Sequence, residues 1–183
     1  MKNLVALICA RGGSKGIKNK NLIKINNKSL IRISIEHAKK IKSIKRIFVS
    51  TDSKIIAKEA IKYGAEVPFL RPKKLAKDKT PEIYVWRHAI KYFNSKLNLN
   101  PEYIISLPTT SPLRKINDVK KCISKTTKEN LDILFTAKES SRNPYFNIIE
   151  KKKNKLSTAS ITKGKKYFRR QDAPKCYDLC TIC

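Results

Sequence analysis

One stretch of the chain concentrates groups able to hold a polyanion. Between Arg11 and Asn21 the residues read Arg-Gly-Gly-Ser-Lys-Gly-Ile-Lys-Asn-Lys-Asn. Arg11, Lys15, Lys18 and Lys20 supply charge, and Ser14 adds a hydroxyl donor. Gly12, Gly13 and Gly16 leave room for backbone N–H groups to converge on oxygen atoms without a Cβ in the way, and can take backbone angles closed to other residues. Charge-assisted donors in that density suit phosphate groups. The spacing is not that of a P-loop, which needs four residues between its first glycine and a Gly-Lys-Ser/Thr, and G-x-G-x-x-G is absent too. Four further clusters carry polar groups: Val49-Ser-Thr-Asp52, Leu70-Arg-Pro72 with Asp78, Thr110-Ser-Pro-Leu-Arg114, and Arg170-Gln171 followed by Pro174. Asp52 is equally well placed to cap a following helix. Arg114 reads as a residue that fixes its own loop.

These clusters need a scaffold, and the apolar pattern supplies one. Leu4 to Ala10 is a continuous apolar run of strand length that empties directly into the glycine segment. Ser29 is a predicted N-cap for a helix to about Lys42, with Leu30, Ile31, Ser34, Ile35, Ala38 and Ile41 on its buried face. Arg46 to Ser50 is a second strand. The helix after it has Ile55, Ile56, Ala60 and Ile61 on its core side and is stopped by Gly64. Glu66 to Leu70 reads as a third strand, and Pro72 and Pro81 bracket a loop before a helix that turns Ile83, Trp86, Ile90 and Phe93 inward. Tyr103 to Leu107 is a fourth strand, a helix runs from about Asn117 to Lys128, and Ile133 to Ala137 is a fifth strand. Strands alternating with helices predict an α/β fold with a mainly parallel sheet covered on both faces. In such sheets ligands bind beyond the carboxyl ends of the strands, where the loops after Ala10, Ser50, Leu70 and Leu107 emerge. Beyond Lys138 the alternation stops, with a Lys-rich turn at Lys151 to Lys155 and a polar end. A single domain over 1–183 is therefore expected, with an α/β core at 1–137 and an excursion at 138–178.

Composition narrows the classes of function. The net charge of +28 comes from 42 Lys and Arg against 14 Asp and Glu, yet only nine of the cations are arginines and the lysines are scattered, not striped. A compositional bias explains this better than a nucleic-acid surface, although a non-catalytic basic domain that binds nucleic acid stays as the alternative. No apolar run reaches bilayer-spanning length and no signal-peptide pattern opens the chain, so a cytoplasmic protein with reduced cysteines and no membrane partner is expected. Cys176, Cys180 and Cys183 lie close together, but without a fourth ligand nearby a zinc site is the weaker reading. His37 needs no role beyond packing, and Cys9 and Cys122 read as core residues.

Taken in order, the five clusters resemble the signature of the acylneuraminate cytidylyltransferases, the family that makes CMP-sialic acid and CMP-activated relatives. The resemblance covers most of the chain. It implies a three-layer Rossmann-like nucleotidyltransferase fold with a C-terminal dimerisation excursion, acting as a homodimer on CTP and a nonulosonic acid, with release of pyrophosphate and Mg2+ as cofactor. It assigns Arg11 and Lys20 to catalysis, offsetting charge on the leaving pyrophosphate. Ala10, Gly12, Gly13, Ser14, Asn21, Arg71, Thr110 and Ser111 would bind the nucleotide, and Arg170 and Gln171 the sugar acid. The sequence also departs from the pattern. Pro108 stands where sialic acid enzymes carry Gln, Asp178 and Cys180 replace an Arg and an Asn, and Asn143-Pro-Tyr-Phe146 replaces a segment that often offers a cation. A legionaminic-type or related nonulosonic acid is therefore expected in place of plain N-acetylneuraminate, with ketodeoxyoctonate as a further alternative. No Asp-x-Asp occurs in the sequence, so the metal ligands stay unassigned, and a truncated fold with an impaired metal site and weak turnover is expected.

Overall fold

The computed structural model describes residues 3–152, 155–159 and 167–180. They fall into two compact units, divided between Leu134 and Phe135.

The first unit is built on β1 (Leu4–Cys9), which is buried along nearly its whole length. A short hairpin of β2 (Lys24–Ile25) and β3 (Lys28–Ser29) leads into α1 (Leu30–Lys39). There the Ser29 side chain accepts a hydrogen bond from the Arg32 N–H at 3.3 Å, as an N-cap should. Next come β4 (Ile44–Ser50) and α2 (Lys54–Lys62). Gly64, at φ +83°, ends that helix in the left-handed region that favours glycine. The next two elements are α3 (Glu82–Lys96) and β5 (Tyr103–Ser106). α4 (Ile116–Glu129) ends on Asn130, which is also left-handed.

β4 and β5 flank β1, and both pairings are parallel. Alternate residues of β1 serve opposite faces. Leu4, Ala6 and Ile8 pack with Ile31, Ile35 and Ala38 of α1, Ile56 and Ala60 of α2, and Val119 of α4. Val5 and Leu7 pack with Phe48 and with Ala89 and Phe93 of α3. The result is three layers, and each fully buried Leu, Ile or Phe contributes about 1.5–3 kcal/mol.

Two elements differ from the sequence pattern. Glu66 to Leu70 is not a continuous strand but touches the sheet through single parallel bridges, Phe48 to Glu66 and Thr51 to Leu70. On α3 the buried stripe is Val85, Ala89 and Phe93, while Ile83, Trp86 and Ile90 line a cavity of about 560 Å3 that also borders β5 and α4. Phe93 is buried as expected, and Trp86, half-buried, also packs against the Val5, Leu7 and Phe48 cluster.

In the second unit, β6 (Thr136–Glu139) pairs antiparallel with β9 (Tyr177–Cys180), and β7 (Ile149–Lys152) with β8 (Lys155–Thr158). The fifth strand expected at Ile133 to Ala137 thus begins later and belongs to an antiparallel pair. An apolar run announces a strand without naming its partner. Among the described residues no helix is long and apolar enough to cross a membrane.

Candidate active site

Strand order fixes where a ligand can sit. From β1 the chain crosses to β4 on one side, then returns through α3 to β5 on the other. The loops after β1 and β5 therefore part at the carboxyl end of the sheet, the reversal at which open α/β sheets bind ligands in a crevice. The glycine segment and the 107–115 loop are its two lips.

Asn21 ties the lips together. Its side chain is buried, donates from Nδ2 to the Arg11 carbonyl at 2.8 Å, and accepts at Oδ1 from the Thr109 hydroxyl at 2.6 Å. Both polar atoms of the side chain are thus engaged within the protein, which makes Asn21 a positioning residue in this arrangement. Thr109 itself was not singled out by the sequence, because nothing local distinguishes it from Thr110. Thr109 is buried, Thr110 is exposed, and Ser111 lies half-buried between them and Pro112.

The glycine segment is shaped less by its glycines than expected. Gly12, Gly13 and Gly16 all keep ordinary φ, and the left-handed residue of the segment is Asn19, at φ 52°. Gly12 is the tightly packed one, since a Cβ there would lie 3.0 Å from the Ser53 Cβ and press on it, whereas the space at Gly13 and Gly16 is open. The Gly12 N–H donates to Asp52 Oδ1 at 2.8 Å. Asp52 therefore braces the glycine segment, and the cap of α2 is Ser53, whose hydroxyl accepts from the Ile56 N–H. Ala10 is buried and bonded through its N–H to the Ser50 carbonyl, and the Ser14 N–H donates to the Gly12 carbonyl. Lys20 is half-exposed in a single 3-10 turn, Lys20–Leu22, and its ammonium forms no ion pair with a described residue.

Two further cations are buried near the loops. Arg71 is buried, donating from Nε to the Ser50 hydroxyl at 3.1 Å and from Nη2 to the Ser50 carbonyl at 2.5 Å. Burial pushes its pKa down, while nearby Cys9, Asp52 and Glu82 pull the other way. The Cys9 thiol is pushed up to about 12 by burial, with Arg71 opposing and Glu82 reinforcing the shift. Arg114 is buried too and donates to the Pro108 carbonyl, which fixes the loop after β5, and burial lowers its pKa to about 10. Arg11 extends to Asp78 instead, with Nη1 to Oδ1 at 2.5 Å, and Lys15 reaches the other oxygen of the same carboxylate at 2.7 Å.

Gln171 is exposed in a 3-10 turn, Arg170–Asp172, of the second unit, and the Arg170 side chain lies outside the described residues. Cys183 and the Cys180 side chain are likewise outside them. Among the described residues no three of His, Cys, Asp and Glu gather to hold a metal ion. Of the carboxylates at the segment, Asp52 accepts from a backbone N–H and Asp78 holds two cations.

A family model described as cytidylyltransferase matches residues 5–181. The chain belongs to the cytidylyltransferase family. Post-translational flagellin modification protein B of Campylobacter coli is 42% identical over 179 residues, which are 98% of this chain and 75% of that protein. The CMP-N,N'-diacetyllegionaminic acid synthase of Campylobacter jejuni is also 42% identical, with the same coverage. Among solved structures, a CMP:2-keto-3-deoxy-manno-octonic acid synthetase complexed with CTP superimposes with a TM-score of 0.66 at 16% identity, over 100% of this chain and 73% of that one. That likeness establishes the three-layer cytidylyltransferase fold, with the parallel sheet at its centre. The glycine segment, both lips of the crevice, Arg71 and Asp78 all fall within the matched span.

Proposed function

We propose that this cytidylyltransferase transfers CMP from CTP to a nonulosonic acid of the legionaminic type. The observation that carries the reading is a glycine segment at the reversal point of a parallel sheet, braced by Asp52, with Arg11 and Lys15 drawn together on Asp78 and Arg71 fixed on Ser50. Similarity along 98% of the chain to a protein named as a legionaminic acid synthase supports the choice of acceptor.

The reaction forms a bond from the acceptor's anomeric hydroxyl oxygen to the α-phosphorus of CTP. The bond from that phosphorus to the bridging oxygen breaks, pyrophosphate leaves with the electron pair, and the hydroxyl proton is released. Transfer of this kind asks little covalent chemistry of a protein and much positioning of charge. Arg11 and Lys20 offset the negative charge that builds on the pyrophosphate, helped by the N–H group of Gly13. Arg71, fixed by Ser50, cannot swing and so presents a set orientation to the cytidine side of the crevice. Thr110 and Ser111 bound the acceptor side.

The test is pyrophosphate release with CTP, magnesium and a panel of nonulosonic acids, with ATP and UTP as controls. Release that depends on CTP and is fastest with a legionaminic-type acid is the expected result. No release with any acid, together with no CTP binding in calorimetry, refutes the proposal.

A further inference from the structure

The loop from Arg71 to Pro81 carries five cations and one carboxylate, Asp78. In a chain with three cations for every acid, that one carboxylate lies on the two cations that open the glycine segment, Arg11 at 2.5 Å and Lys15 at 2.7 Å. Each of its oxygens serves a different cation, as two oxygens of a phosphate group would. The second carboxylate at the segment, Asp52, differs in kind. It accepts from the Gly12 backbone N–H at 2.8 Å and is carried at the end of β4, next to the Ser53 cap, so it is built into the frame. Asp78 sits about one-third exposed on a loop that touches the glycine segment through side chains alone.

We propose that Asp78 is an internal stand-in for phosphate, which occupies Arg11 and Lys15 in the empty enzyme and is displaced when the nucleotide's triphosphate arrives. The proposal rests on the nucleotidyl-transfer reading of the crevice. Asp78 keeps the two cations ordered and pointed at one place, and it sets a threshold that an incoming anion must exceed. A single phosphate offers those cations little more than the carboxylate already does. A triphosphate exceeds it, because it engages Arg11, Lys15 and Lys20 together.

The experiment measures binding of inorganic triphosphate and of CTP to wild type, Asp78→Asn and Asp78→Glu by calorimetry across a salt series. Two partly exposed ion pairs are broken on binding, so Asp78→Asn should bind triphosphate about 3- to 20-fold more tightly at low salt. That gap should close as salt screens the internal pairs. Asp78→Glu should return affinity toward wild type. Equal or weaker binding by Asp78→Asn overturns the displacement while leaving the enzyme assignment intact. Failure of every form to bind either ligand overturns the assignment and the displacement with it. A second readout needs no variant. Lys15 and Arg11 hold the Asp78 carboxyl below its ordinary pKa, so carboxyl-carbon NMR of the wild type should show that pKa rise on saturation with triphosphate. An unchanged titration means the pair persists, and overturns the proposal.

Discussion

Asn21→Ala tests the central joint of the crevice. The side chain is 4% exposed and makes two hydrogen bonds, to residues 10 and 88 positions away in sequence. Truncation removes both and leaves the Arg11 carbonyl and the Thr109 hydroxyl facing a void. Each lost bond is worth about 0.5–1.5 kcal/mol, and the stranded partners raise the total to about 2–4 kcal/mol. For a chain of this size the melting temperature should fall by roughly 4–16 °C. Urea unfolding at constant m-value measures the loss directly. A double-mutant cycle with Thr109→Val should show coupling of at least about 0.5 kcal/mol, because the two side chains share one bond. CTP affinity should fall as well, since the lips lose their tie. The reasoning fails if Asn21→Ala costs under about 0.5 kcal/mol yet still abolishes CTP binding. That pattern belongs to a residue that touches the nucleotide and holds nothing else.

Two further outcomes follow from half-buried titratable groups. Cys9, at about 12, should be about 10⁻⁴ thiolate at pH 8, so a thiol reagent should leave it unmodified in the native protein and label it fully in concentrated urea. Rapid native labelling of Cys9, read by peptide mass, contradicts the packing around β1. His37 is held below its ordinary pKa by burial first and by Arg114 second. Its folded pKa is the lower one, so the unfolded chain binds the extra proton. Stability should therefore begin to drop as pH falls through about 6.5 and go on dropping down to the folded pKa. His37→Gln should flatten that part of the melting-temperature profile, and an unchanged slope removes His37 as its source.

Local rules made much of the scaffold legible. Ser29 as a cap, Gly64 as a stop and the uniform apolar run of β1 each follow from a few neighbouring residues. What needed the structure was partner choice. On α3 two stripes, Val85-Ala89-Phe93 and Ile83-Trp86-Ile90, are both apolar, and which one is fully buried is settled by what packs against the helix. Asp52 reads as a cap from its position before a helix, yet the next residue takes that role and frees Asp52 for Gly12. Thr109 and Thr110 are chemically identical neighbours that alternate in direction, so burial separates them where sequence does not. The glycine segment was found for its charges and spacing, while its shape is set by Asn19, Asn21 and Asp52.

The charge of the chain gives the internal carboxylates their meaning. At +28 the protein's field gathers every anion in reach, and gathering is not selection. Lysines spread over the surface attract inorganic phosphate, nucleic acid and nucleotides alike, with a strength that falls as salt rises. A site that must first give up an internal partner sets a threshold for weak anions, and the contacts beyond that partner's place do the selecting. Among the described residues, Glu36 holds Lys28 and Arg32, and Glu66 holds Arg46, both well apart from the crevice in sequence and serving helix and strand. Asp78 alone of these holds cations of the glycine segment. If it yields as proposed, a monophosphate exchanges one set of partly exposed pairs for another and gains little. A triphosphate makes the same exchange and then adds its contacts to Lys20 and the segment's N–H groups. The discrimination is thus worth about the strength of the contacts beyond Arg11 and Lys15, each about 1.5–3 kcal/mol for a charged hydrogen bond. In an Asp78→Asn protein those contacts remain while the threshold is gone. Inorganic phosphate and CTP should then both bind more tightly than they do in the wild type, by a similar factor, and the ratio of their affinities should stay unchanged.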